Sequence, residues 1–156
     1  MKNKIFLLLI LNLFFLNCGF KPVDKTSLSR FDIAEINLSG DKRINYILKN
    51  KILLNSDENN KKLISISIET FKKKEIKEKN IKNEITKYQI IINTKIEIKD
   101  FENSKNERFS IKKNGEYNVA NQYSQTLNNE KKLTKLLTEK LAEDILDELR
   151  MRLDAI

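Results

Sequence analysis

The chain has 156 residues, 30 Lys and Arg against 22 Asp and Glu, no histidine and one cysteine, with a pI near 9.4. That length suits one domain with a sizeable core and is short for two. The missing histidine excludes Ser-His and Cys-His nucleophile pairs and the commonest metal ligand, and the single cysteine excludes an internal disulfide. An enzyme is therefore disfavoured, although carboxylate or lysine chemistry stays open; no catalytic residue, metal ligand or cofactor is assigned.

At the N-terminus, Lys2 and Lys4 precede Ile5 to Leu16, an apolar run broken only by Asn12. Such a run rises about 18 Å as a helix, well short of the ~30 Å hydrocarbon core, so it reads as an export signal and not a membrane span. The run leads straight into Asn17-Cys18-Gly19, the layout of a bacterial lipoprotein signal whose cysteine becomes the acylated N-terminus. Asn17 is bulkier than the Gly, Ala or Ser usual before that cysteine. An ordinary secretory signal with a buried cysteine is the alternative. Removing residues 1–17 also removes two lysines from a formal charge of +8. The remaining basic excess is mostly lysine, accompanied by abundant Asn and Ile, which fits a compositional bias. An exported chain does not meet the genome, so acidic lipid surfaces or phosphates are better partners for it than nucleic acid.

Residues 18–30 read as a lipidated tether, and 31–156 as a single α+β domain. Phe31 to Leu38 reads as a short half-buried strand with Ala34, Ile36 and Leu38 on one side. Ser39-Gly40-Asp41 breaks it and offers a helix cap. From Asp41 to Leu54, Ile44, Ile47, Leu48 and Ile52 recur at helical steps. After a polar turn at 55–62, Leu63 to Phe71 alternates sharply, with Ile64, Ile66 and Ile68 on one face. Lys72 to Lys87 is dense in lysine and reads as a mobile hairpin connection or a fraying helix.

Tyr88 to Lys99 resumes the alternation, with Tyr88, Ile90, Ile92, Thr94, Ile96 and Ile98 on one face and Ile91 on the other. A turn at 100–106 leads to a strand over Glu107 to Val119, with Phe109, Ile111, Tyr117 and Val119 inward. Lys113 and Gly115 interrupt that face, which suggests a bulge or a strand running past the covered part of the sheet. Asn128 or Asn129 caps a final helix, Glu130 to Leu153. Its stripe of Leu133, Leu136, Leu137, Leu141, Ile145, Leu149 and Leu153 winds in steps of mostly four, as suits a helix lying diagonally on a twisted sheet. Asp144, Asp147 and Glu148 fall on its outer side as solvated charges. The expected fold is β-α-β-β-β-α, with two helices packed on one face of a four-stranded mixed sheet and the other face left to solvent or a partner.

With these residues in place, the chain resembles the LPS-assembly lipoprotein family, LptE. The resemblance lies in Cys18-Gly19-Phe20-Lys21-Pro22, in the strand and helix over Ile33–Leu54 with Arg43 at the helix start, and in Tyr88-Gln89. It extends through Tyr117, Tyr123 and the closing Leu141-Ala142-Glu143-Asp144-Ile145. It implies two helices against a four-stranded sheet and a non-enzymatic role. The implied protein is an outer-membrane lipoprotein, anchored on the periplasmic side. It would plug an LptD-type β-barrel, help assemble it, and assist lipopolysaccharide transport to the outer leaflet. Acyl chains on Cys18 would hold it almost permanently, at ~0.8 kcal/mol per buried CH₂. Gly19 after the cysteine, instead of aspartate, suits passage to the outer membrane. The resemblance also implies basic contacts to lipid A phosphates before the third strand, where Lys79, Lys82 and Lys87 stand. A second contact before the last helix meets Gln125-Thr126-Leu127, with nothing basic until Lys131. For each lysine a solvated surface charge is the plain alternative. Tyr88, Tyr117 and Tyr123 read as core or edge packing, and Arg108 is open. A periplasmic lipoprotein serving another envelope transporter, or binding an apolar ligand, is the competing function.

Overall fold

The computed structural model describes residues 32–55, 63–102 and 105–154; Cys18, the signal and the tether lie outside them. The elements are β1 (Asp32–Gly40), α1 (Lys42–Leu53), β2 (Leu63–Lys79), β3 (Ile85–Asp100), β4 (Asn106–Asn118) and α2 (Tyr123–Asp154). The sheet order is β1-β2-β3-β4, with β1 parallel to β2 and the other pairs antiparallel. This is the α+β arrangement expected from the periodicity.

One face of the sheet carries the core. Leu38, Ile68, Ile96 and Phe109 stand side by side across all four strands, and Ile36, Ile66 and Ile98 form the next row. Ile44, Leu48 and Ile52 of α1 and Leu137, Leu141, Ile145 and Leu149 of α2 close over them. Each fully buried aliphatic side chain contributes about 1.5–3 kcal/mol relative to exposure. Asp41 caps α1, its carboxylate accepting the Arg43 and Ile44 amides at 3.0 and 3.1 Å.

β1 differs from the simple alternation. Ile33 pairs with Ile64 but Glu35 already pairs with Ser65, so a bulge falls at Ala34. The extra residue shifts the phase by one and brings Ile33 to the core face beside Ile36, leaving Ala34 exposed. At the strand's end Gly40 adopts φ +91°, and a Cβ there would lie 1.9 Å from the Thr70 carbonyl oxygen. Only glycine allows the chain to turn into α1 this close to β2. The buried Asn45 secures that turn by donating to the Ser39 carbonyl at 2.8 Å and accepting from the Thr70 hydroxyl at 2.7 Å.

The lysine-dense stretch is strand, not a loose connection or helix. β2 runs on to Lys79, and β3 begins at Ile85, so only a tight turn remains at 80–84. The Asn80 side chain accepts the Lys82 and Glu84 amides, and Asn83 takes φ 65°. Lysine is a poor strand former, but here the β3 ladder supplies every backbone partner from Lys72↔Ile92 to Ile76↔Tyr88. Cross-strand charge pairs, Lys87 with Glu78 and Lys77 with Glu116, further offset the repulsion.

β4 pairs with β3 from Asn106 to Asn118 without a register shift, so the expected bulge is absent and the strand does not run clear of α2. Gly115 lies directly beneath that helix: a Cβ would come within 2.8 Å of Leu133 Cδ1. Lys113 is tolerated on the inward face because Asp144 of α2 pairs with it. Val119 falls just past the strand and is 37 % exposed, so it does not join the core.

α2 begins about two turns earlier than Asn128 or Asn129 would set. The Thr126 hydroxyl accepts the Ala120 amide at 2.9 Å and so closes the first turn, while the Asn129 amide donates to the Asn118 carbonyl. Leu136 is 47 % exposed, and Ala142 and Leu146 bury instead. The helix packs through a band wider than its leucine stripe.

Candidate functional site

The hairpin end gathers two of the predicted contacts as available cations. Lys79 Nζ donates to Asn83 Oδ1 at 2.9 Å, and Lys82 stands exposed on the turn. Lys87 is different: its ammonium lies 2.9 Å from Glu78, and that hydrogen bond holds its pKa above the ordinary lysine value. Lys87 is therefore already neutralised. The predicted second contact, Gln125-Thr126-Leu127, lies inside the first turns of α2, where buried Thr126 serves the helix start. Lys131, the next cation, lies in a cleft against α1 instead of at the hairpin end.

Beneath the start of α2 lies a polar cluster that residue types alone did not reveal. Lys74 Nζ donates to Glu130 Oε2 at 2.8 Å, and the Tyr117 hydroxyl donates to the same oxygen at 2.9 Å. The ammonium also sits 4.2 Å above the Tyr88 ring, which stacks on Tyr117 at 5.7 Å between centroids. Burial works against the charged forms, yet the mutual hydrogen bonds prevail. The Glu130 carboxyl is held below its usual range and the Lys74 ammonium well above its own. Burial is also the main cause that raises the Tyr117 phenol. Tyr88 and Tyr117 thus pack at the core edge, whereas Tyr123 is 76 % exposed. The available signal was the continued alternation Lys72, Lys74, Ile76, which keeps Lys74 in phase with Ile66 and Ile68.

The helix-free face carries the other feature. Asn37, Ser67, Glu97 and Arg108 form one row across the four strands, and Ser39, Glu69, Lys95 and Ser110 form a second. Arg108 meets Glu97 at 3.0 Å and Lys95 meets Glu69 at 3.1 Å. Between the rows runs an open groove of about 660 Å³. Arg108 is thus a cross-strand partner on the open face, and Ile91 lies on this face half-buried between Lys73 and Asn114. On α2, Asp144, Asp147 and Glu148 are not free solvated charges. They pair with Lys113, Arg150 and Arg152 respectively, and Arg152 also reaches Glu107 at 3.2 Å. Those bonds raise the Arg152 pKa.

No protein-family model and no curated sequence matches the chain. Solved structures do. Lipoprotein B from Nitrosomonas europaea, described as uncharacterized, is similar over 88 % of this chain and 94 % of its own, at 16 % identity and a TM-score of 0.61. Rare lipoprotein B from Shewanella oneidensis is similar over 76 % and 95 %, at 13 % identity and a TM-score of 0.57. A minor lipoprotein from Acinetobacter baumannii is similar over 76 % and 93 %, at 13 % identity and a TM-score of 0.52. At such identities the likeness shows the fold: this chain has the β-α-β-β-β-α architecture found in bacterial lipoproteins.

Proposed function

We propose that the protein is an outer-membrane lipoprotein, anchored through Cys18 on the periplasmic side, that plugs and helps assemble an LptD-type β-barrel. In that position it assists lipopolysaccharide transport and insertion into the outer leaflet. The observation that carries this reading is the uncovered sheet face. Its serine, asparagine and paired charged side chains across four strands suit the polar interior of a large barrel. The lipoprotein-type signal and the architecture found in bacterial lipoproteins support it. The protein works here by occupying and shaping a pore, with no bond made or broken.

The test is affinity isolation of the tagged full chain from solubilised outer membranes. Co-purification of a large β-barrel is the expected result. Recovery of inner-membrane transporter subunits without a barrel would overturn the plug and favour an accessory of another envelope transporter.

A further inference from the structure

Arg43, Lys72, Lys131 and Lys135 line a cleft of about 170 Å³ between the start of α1 and the first half of α2. Water takes about 30 Å³ per molecule in the liquid, so the cleft has room for a tetrahedral anion with part of its hydration shell. Ile44 and Ile47 line it on the α1 side. Two carboxylates, Asp41 and Glu130, also line it, so four cations leave a net lining charge of +2.

Both carboxylates are satisfied within the protein. Asp41 accepts the Arg43 and Ile44 amides, and Glu130 accepts from Lys74 and the Tyr117 hydroxyl. The cations are less well served. Lys72 approaches Glu130 only to 3.6 Å and Lys135 approaches Glu139 only to 3.8 Å. Among the described residues, Arg43 and Lys131 have no ionic partner.

A second observation points the same way. The Thr134 hydroxyl, on the α2 wall of the cleft, is shielded from water yet has no hydrogen-bond partner. Its neighbour one turn on, Thr138, satisfies its own hydroxyl by donating to the Thr134 carbonyl at 2.8 Å. Buried hydroxyls are rarely left unpaired; those of Thr86 and Thr94 are unpaired too, but Thr134 alone of the three lines the cleft, and a χ1 rotation would turn its hydroxyl toward an acceptor there.

We propose that this cleft binds a phosphate-class dianion, held by Arg43 and Lys131, with Thr134 as a hydroxyl donor and Lys72 and Lys135 balancing charge. A dianion matches the net lining charge, and arginine offers the planar fork that phosphate oxygens accept. The site lies apart from the hairpin lysines and does not rest on the barrel-plug reading. The phosphate can belong to a free ester or to a lipid headgroup.

The test uses the full, isotope-labelled chain in a zwitterionic detergent, titrated at mildly alkaline pH with inorganic phosphate, there mostly the dianion, while the amides of Arg43, Lys131 and Thr134 are followed by NMR. In parallel, the same amides are followed as phosphatidic acid is added to the detergent micelles, with phosphatidylcholine as the control. Saturable shifts confined to the cleft are expected. Arg43→Gln with Lys131→Gln should weaken binding at least about tenfold, and Thr134→Val by about tenfold, since one charged hydrogen bond corresponds to roughly that factor. Lys79→Gln with Lys82→Gln should change nothing. Shifts with inorganic phosphate but none with phosphatidic acid assign a free phosphate. Cleft shifts with phosphatidic acid that the double variant loses assign a headgroup. Arg43 and Lys131 are exposed, so unchanged melting should accompany their loss; if the pair melts early, Lys131→Gln alone decides. No saturable shift, or shifts equal in the variants or reproduced by chloride, would overturn the site.

Discussion

Lys74 Nζ and Glu130 Oε2 lie 2.8 Å apart, joining the extended arm of β2 to the first turns of α2 across 56 positions of sequence. The Tyr117 hydroxyl completes the arrangement at 2.9 Å, so one carboxylate oxygen holds a strand, its neighbour but one, and the helix above them. Neither the lysine-rich arm nor the early start of α2 has many buried aliphatic contacts of its own. The polar cluster is what secures both.

Replacing Glu130 with Gln should therefore destabilise the domain by about 1–3 kcal/mol at neutral pH, because the buried Tyr117 hydroxyl and the more exposed Lys74 ammonium both lose a charged acceptor. The pH dependence follows from the lowered Glu130 pKa. A depressed carboxyl contributes stability that is present above its unfolded pKa and lost as pH falls through the folded value. The gap between wild type and Glu130→Gln should close in acid, below the ordinary carboxylate range. Urea unfolding across that range measures it, and a gap of constant size at every pH would contradict the assignment.

Gly115 and Leu133 make a second tight pair. Gly115→Val should cost about 1–3 kcal/mol through overpacking against the Leu133 side chain. Leu133 is a flexible neighbour, so Leu133→Ala in the same chain should recover part of the loss. A double-mutant cycle reads the coupling; strictly additive effects would mean that the helix shifts as a body instead.

The hairpin lysines divide by their partners. Joint replacement of Lys79, Lys82 and Lys87 by alanine should weaken lipopolysaccharide binding at low salt, and the effect should fade as salt screens the charges. Because Glu78 already neutralises Lys87, Lys79 and Lys82 should account for most of the change. Affinity that is the same in the triple variant and the wild type would return these side chains to plain surface charges.

Cys18→Ala should mislocalise the protein, removing it from the outer-membrane fraction, while its circular dichroism stays that of a folded α+β domain. The tether precedes β1 in the sequence, and the core residues named above, from β1 through α2, all lie downstream of it. Loss of helix and sheet signal in that variant would show that the N-terminal region does more than anchor.

What the amino-acid order determined by itself is the part of the fold written in local periodicity. Ile64, Ile66 and Ile68, the run from Tyr88 to Ile98, and Ile44, Leu48 and Ile52 each declare a buried face over a few residues, because side-chain direction follows directly from the repeat. Those faces were enough for the element order and for both helices on one side of the sheet. What only the tertiary structure decided depends on pairing between distant residues. Lys72 to Lys79 is strand because β3 offers its ladder, although lysine favours no strand on its own. Ala34 is turned out because β1 meets β2 with one residue to spare, and Gly115 is small because Leu133 lies over it. The grouping of Arg43 with Lys131, and of Lys74 with Glu130, has the same origin. A charge carries no mark of its partner in sequence, since the energy that selects the partner exists only once the backbones have met.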